Sequence, residues 1–198
     1  AALVAPVFFE NELIAYTVIK AHWLDIAGKE PYSTDTVDVF QEGTIYPGVK
    51  LFNKGKLVED IYKMCIANTR VPNSVAGDIN AQAIGVKAGA TALKRILSKY
   101  GIKKFKAAAE SIFDAGEMIV RNYLKKIPNG EYSGSGQMDS NGVEPGKVPF
   151  DIKVIIEDEK VILDMSKAPP QQNGPINCPL PSTVSTARVA MSMLAGSN

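Results

Sequence analysis

Apolar and polar positions set out the elements of this chain before any chemistry is considered. "APVFFENELIAYTVI", residues 5–19, places β-branched and aromatic residues on both sides of Glu10-Asn11. That arrangement predicts a β-hairpin turning at the polar pair. Its second strand, from about Leu13 to Ile19, delivers the chain to His22. Residues 28–55 carry four glycines and two prolines between short apolar pieces, which predicts a long ordered loop with short strands. Leu57, Ile61, Met64 and Cys65 then fall at helical spacing, and Arg70-Val71-Pro72 ends that helix.

The longest periodic signal follows. Ile79, Ala83, Val86, Ala90, Leu93, Leu97 and Tyr100 form one stripe, and Ile102, Phe105, Ala109, Ile112, Gly116, Ile119 and Tyr123 form a second. They predict two helices of about 20 residues, each about 30 Å long. The helices meet at Gly101, and so short a connection makes them an antiparallel hairpin. Asp78 is the expected N-cap of the first. "IPNGEYSGSGQMDSNGVEPGK" is polar and glycine-rich and reads as loop. Phe150, Ile152, Val154 and Ile156, then Val161, Leu163 and Met165, alternate about a turn at Asp158-Glu159 and predict a second hairpin. After the proline-punctuated "APPQQNGPINCPLPS", Ser182 or Thr183 is expected to cap a final helix through Ala187, Met191 and Leu194. The expected architecture is α+β: β-hairpins and mixed sheet with a long antiparallel helical hairpin. It divides into a β-rich segment (1–77), the helical hairpin (78–127), and a hairpin, loop and helix (128–198). Both ends look cut from something longer, so the chain reads as a fragment of a larger subunit.

Composition narrows the function classes. Of 198 residues, 45% are apolar, enough for a packed core, and the formal charge is only +1. No basic excess is available to neutralise phosphates, so nucleic acid is not an expected partner. No apolar run reaches the roughly 18 residues that span a bilayer, so no membrane contact is expected. Two cysteines, Cys65 and Cys178, lie far apart and outside any C-x-x-C pattern. Two reduced, partly buried thiols in a cytoplasmic protein are the expectation. "YSGSGQMDSNG" lacks the G-x-x-x-x-G-K-[ST] order and the flanking strand and helix of a phosphate loop, so no ATP site is expected here.

Candidate chemistry centres on "AHWLDIAG". His22, the single histidine, precedes Asp25 by three residues. Imidazole nitrogen and carboxylate oxygen both bind zinc or manganese, and a carboxylate also orients an imidazole. The bland alternative is a histidine at a strand end with Asp25 in a turn. Trp23 between them reads as packing. Glu42, in "FQEGTIYPGVK", is either a turn acid or a third ligand or general base. Asp78 caps a helix end whose amides also favour anions. Cys65, inside an apolar stripe, is not an expected nucleophile.

Taken together, "PVFFENELIAYTVIKAHWLDIAGKEP", "FQEGTIYPGVKLFNKGKL", "ANTRVPNSVAGDINAQ" and "QQNGPINCPL", in this order, resemble the hydantoinase B/oxoprolinase family over nearly the whole chain. The resemblance implies a B-type catalytic subunit of an ATP-dependent, hetero-oligomeric complex. A partner resembling the hydantoinase A subunit would bind Mg-ATP and phosphorylate a carbonyl oxygen, and this subunit would hydrolyse a cyclic amide such as a hydantoin or 5-oxoproline. The alternatives are a subunit of an acetone- or acetophenone-type ketone carboxylase and a non-catalytic assembly subunit. In the acetone carboxylase branch the His and Asp of H-x-x-D bind a metal with a further histidine. His22 and Asp25 match the first two, and the further histidine has no counterpart here. The resemblance thus implies His22, Asp25, Glu42 and Asp78 as catalytic residues, with a divalent metal (Zn or Mn) on His22 and Asp25.

Overall fold

The structure is a computed structural model and describes residues 1–196. Its elements run β1 (Ala2–Phe9), β2 (Glu12–Lys20), a 3-10 turn (Val39–Gln41), β3 (Phe52–Asn53), β4 (Lys56–Leu57), α1 (Glu59–Ala67), α2 (Pro72–Leu124), β5 (Gly130–Ser140), β6 (Pro145–Glu157), β7 (Lys160–Asp164) and α3 (Leu180–Gly196). The mixed α and β content expected from the pattern is observed. The chain divides into two compact units, one of residues 1–33 and 38–107, the other of residues 34–37 and 108–198.

In the first unit β1 and β2 pair antiparallel, Phe9 opposite Glu12. Glu10 and Asn11 both have positive φ, 50° and 64°. That is the twist a two-residue hairpin turn requires. A bulge between Val7 and Phe8 adjusts the register. Lys54 and Gly55 turn the short β3–β4 pair in the same way. Leu51, Cys65, Val75 and Ile79 form the buried centre, with Leu3, Trp23, Tyr46 and Ile61 packed around it.

Helix α2 starts at Pro72, the position where a missing N–H costs least, and not at Asp78, which lies inside it. Asp78 is therefore no N-cap. The helix crosses β2 at two glycines. A Cβ on Gly85 would lie 2.2 Å from Ile19 Cδ1, and one on Gly89 would lie 3.1 Å from Thr17 Cγ2. The Thr17 hydroxyl donates to the Val86 carbonyl across the same contact, at 3.0 Å. The expected break at Gly101 is present, with φ 79° and ψ 159°. The first stripe is buried at Ile79, Ala83, Val86 and Leu97. The second differs from expectation, because Ile112 and Ile119 are both more than half exposed.

In the second unit β5, β6 and β7 form one antiparallel sheet in that order, with Asp158 at positive φ in the β6–β7 turn. β5 occupies residues expected to be loop. Its glycines and serines carry no apolar alternation, so its conformation comes from pairing with β6, Gly130 opposite Ile156 through Gln137 opposite Pro149. Phe150 lies over Gly136, where a Cβ would stand 2.7 Å from the ring. The ring covers backbone that the glycine leaves bare. Helix α3 begins at Leu180; Ser182 and Thr183 lie within its first turn and donate their N–H groups to the Pro179 carbonyl, so neither is the cap. The "GPIN" loop is held locally. Asn177 Nδ2 donates to the carbonyls of Gln172 and Gly174, and Gly174 sits so close to the Asn141 carbonyl that a Cβ would meet it at 2.0 Å. Both cysteines are free; Cys65 is buried as expected, and Cys178 is exposed rather than partly buried.

The contrast between the two stripes of α2 sets an expected outcome. Ile79→Ala should cost about 2–4 kcal/mol, as large-to-small changes in a filled core do. Ile112→Ala should cost less than about 0.5 kcal/mol, as surface changes do. Urea denaturation measures both; equal losses would place Ile112 in a core.

Candidate functional site

The loop after β2 is fixed by four side chains from α2 and the segment before it. Asp25 is 4% exposed, and a buried carboxylate must find partners for both oxygens. Arg70 provides most of them. Its Nε donates to Oδ2 at 2.9 Å, its Nη2 donates to Oδ1, and its backbone N–H donates to Oδ2 at 2.6 Å. The Thr69 hydroxyl adds a bond to Oδ2 at 3.3 Å and the Ala27 N–H one to Oδ1 at 3.2 Å. A planar guanidinium meeting a carboxylate through two nitrogens is the strongest form of such a pair. The remaining Arg70 contact, Nη2 to the Gly28 carbonyl at 3.1 Å, ties down the next turn of the loop. These contacts hold the Asp25 carboxyl well below the usual carboxylate range. Hydrogen bonding from the Arg70 side chain is the main cause, and burial pushes the other way.

Two residues of α2, one turn apart, hold the rest. Asp78 Oδ2 accepts the Leu24 N–H at 3.4 Å. Gln82, 3% exposed, accepts the Trp23 indole N–H at 2.8 Å and donates to the Ile19 carbonyl at 3.0 Å. Trp23 also packs against Tyr46, ring centroids 5.6 Å apart, so the packing role expected for it is observed. Asp78 and Gln82 are the Asp and Gln of "GDINAQ". Side chains four apart share a helix face, so that motif serves here as a clamp on "AHWLD".

The Glu42 loop lies alongside. The Thr44 N–H donates to the Ile26 carbonyl at 2.7 Å, and the Lys29 N–H to the Gln41 carbonyl at 2.8 Å. A Cβ on Gly43, whose φ is 113°, would stand 2.5 Å from the Ile26 carbonyl oxygen; one on Gly28 would stand 3.1 Å from that of Glu42. Glycine at both positions is what lets the two loops touch. Ala27, between them, takes a positive φ of 65°, which costs a non-glycine residue energy and needs outside support. The Asp25 carboxylate supplies it through the Ala27 N–H.

Of the four residues singled out by sequence, Asp25 and Asp78 are thus joined to a shared scaffold. Glu42 is exposed at the end of the 3-10 turn, its N–H donating to the Val39 carbonyl. His22 is exposed at the end of β2, flanked by clamped residues on its C-terminal side. Among the described residues no three His, Cys, Asp or Glu side chains gather where one metal ion could be held. Asp25 commits both oxygens to Arg70 and its neighbours, so the donors present do not fit a metal on His22 and Asp25. Sequence reasoning missed Arg70 and Gln82. The available signal for Gln82 was its spacing of four from Asp78; Arg70 gave none beyond being a cation next to a helix break.

A family model described as hydantoinase B/oxoprolinase matches residues 1–198. The chain is 33% identical over 190 residues to a protein of Pseudomonas sp. strain NS671 provisionally named as the B subunit of a D-/L-hydantoinase, covering 92% of this chain and 32% of that protein. It is 30% identical to the beta subunit of the Pseudomonas jessenii caprolactamase, covering 96% and 33%. The crystal structure of the ATP-dependent caprolactamase from that organism superposes with a TM-score of 0.86 at 28% identity, over 97% of this chain and 33% of that one. The chain therefore spans about a third of the length of the relatives it matches.

Breaking the Asp25–Arg70 pair should be costly. Arg70→Met leaves a buried carboxylate short of its cation and should lower stability by about 2–4 kcal/mol, less than for a fully buried pair because Arg70 is half-exposed. The pH dependence follows from the sign of the shift. A carboxyl whose folded pKa lies below its unfolded value of about 3.9 stabilises the fold above that value and loses the contribution as pH falls below it. Denaturant titrations from pH 6 to pH 2 should show the wild type losing more stability below about pH 4 than Asp25→Asn does. Parallel curves would mean that Asp25 is not ionised and paired.

Proposed function

Because the chain belongs to the hydantoinase B/oxoprolinase family, we propose that it forms part of a B-type subunit that hydrolyses a cyclic amide in an ATP-dependent complex. One observation carries the reading. The loop at the end of β2 is held by Asp25, Arg70, Asp78 and Gln82, and it presents an exposed imidazole, His22, to solvent. A loop tied at every neighbouring residue is held more firmly than a surface turn requires, and as firmly as the aiming of a proton-transfer group requires.

In this proposal a partner subunit resembling hydantoinase A uses Mg-ATP to phosphorylate the amide oxygen. His22 takes a proton from the water that adds to the activated ring carbon; the ring C–N bond then breaks with a proton passed to the leaving nitrogen, and a second water hydrolyses the resulting acyl phosphate to the carboxylate and phosphate. Glu42, exposed on the adjoining loop, is the second candidate for proton transfer. An imidazole suits the task because one ring nitrogen can accept a proton while the other holds one. Asp25 and Asp78 act as positioning residues, through the backbone they fix. No metal step is included, since Asp25 has no oxygen free for one. Support for a hydrolase comes from the relatives, one named as part of a hydantoinase and one as part of a caprolactamase. The carboxylase alternative draws on a 23% identical acetophenone carboxylase delta subunit of Aromatoleum aromaticum. The likeness to acetone carboxylase, at 18% identity and a TM-score of 0.73, concerns the fold alone.

The test uses the complete subunit assembled with its ATP-binding partner, with hydantoin and ε-caprolactam as substrates. His22→Ala should lower kcat by about 10²–10⁴-fold, the usual effect of removing an acid–base group. Its melting temperature should match the wild type, because the side chain is exposed. Full turnover in a folded His22→Ala enzyme would turn the assignment toward the assembly role.

A further inference from the structure

The two units are of similar length but differ in core. Among the described residues the first unit buries eight apolar side chains, and the second buries four, Leu124, Val148, Ile156 and Ala195. Other apolar side chains of the second unit line an open groove of about 1120 Å³. Phe113 and Val120 reach it from α2, Leu163 from β7, and Val184 and Met191 from α3. Phe113 is 70% exposed, and Leu180, at the start of α3, is 75% exposed. Of the fifteen lining residues two are charged, Glu117 and Arg188, and Glu117 is paired with Arg121.

Burial of apolar area is the main term that offsets the entropy lost when a chain is ordered. In the second unit much of the area that could supply it faces the groove. The volume exceeds the range of about 300–1,000 Å³ typical of small-molecule sites. Interfaces that form and dissolve are about as polar as ordinary surface, whereas this lining has the composition of a core. An open apolar patch of this kind draws chains into aggregates unless its cover is permanent. The relatives point to a source for that cover. Residues 1–198 span about a third of their length, so about two thirds lies outside. Helix α3 is the last element of these residues. In a subunit of the relatives' length, the sequence after residue 198 therefore starts from a helix that lines the groove. A segment tethered by a short linker acts at an effective concentration of about millimolar, ahead of a separate chain.

We propose that an apolar segment of the same polypeptide, from the sequence after residue 198 in the complete subunit, fills this groove and completes the core of the second unit. The filling is needed whether the assembled enzyme hydrolyses or carboxylates. Residues 1–198 by themselves leave the groove open to water, and the small loss expected for Ile112→Ala applies to that state.

The test uses the complete subunit, alone and assembled with its ATP-binding partner. The photoreactive residue p-benzoylphenylalanine replaces Phe113 in one variant and Leu180 in another. After irradiation, mass spectrometry should find each joined to a peptide of the same chain from beyond residue 198, in both preparations. Ser192→Cys, a small change on the groove lining, gives a second measurement that adds no bulk. In the folded subunit alone N-ethylmaleimide should modify position 192 at least about tenfold more slowly than in urea, as a closed structure requires. The protection should be unchanged on dilution. Crosslinks to the partner subunit or to a second copy would overturn the proposal, as would protection that needs the partner or fades on dilution. So would modification of folded Ser192→Cys within tenfold of its rate in urea, even if both benzophenone variants fail to fold.

Discussion

A carboxylate that cannot reach water must be fully paired, and the Asp25 carboxylate sets the form of this part of the molecule. Its two oxygens collect five donors from Ala27, Thr69 and Arg70. Those from Thr69 and Arg70 lie 44 and 45 residues along the chain, so satisfying one side chain draws the end of β2 onto the segment that starts α2. The positive φ of Ala27 is supported directly from that closure, and the glycine contacts with the Gln41–Thr44 loop lie beside it. Removing the guanidinium would expose the cost of burying the charge, which ordinarily exceeds the net worth of the pair.

The sequence stretches that carry the family resemblance divide into two kinds when placed on the structure. "GDINAQ" and "GPIN" work on their own surroundings. The first uses Asp78 and Gln82 to hold a loop from one helix face, and the second uses Gly174 and Asn177 to fit a turn against the Asn141 backbone. Within "AHWLD" the roles differ residue by residue, with Trp23 and Asp25 turned inward and His22 left outside. A side chain that remains exposed while all its neighbours are committed to structure is the first place to seek chemistry. The donors around Asp25 do not fit the metal expected on His22 and Asp25, since both carboxylate oxygens already accept hydrogen bonds.

Legibility followed the range of the interactions. The β1–β2 and β6–β7 hairpins, the break at Gly101 and the helix stop before Pro72 were readable because turn chemistry and periodicity act within a few residues. β5 was not, since Gly134, Ser135 and Gly136 have no pattern of their own and become a strand by pairing with β6. The start of α2 was misplaced because Asp78 offers good capping chemistry, while Pro72, six residues earlier, offers a better start. At the site, His22 and Asp25 stood out by residue type. Arg70 and Gln82 did not, because their partners are 45 and 59 residues away and no local spacing announces them.

The central claim is that Asp25 and Arg70 act as one structural unit that aims the His22 loop. A double-mutant cycle with Asp25→Asn, Arg70→Met and the double variant, read as unfolding free energy at pH 7, isolates their coupling. A coupling of about 1–3 kcal/mol is expected, with the double variant closer to the wild type than the two single losses sum to. Losses that add to within about 0.5 kcal/mol, the behaviour of independent sites, would contradict it.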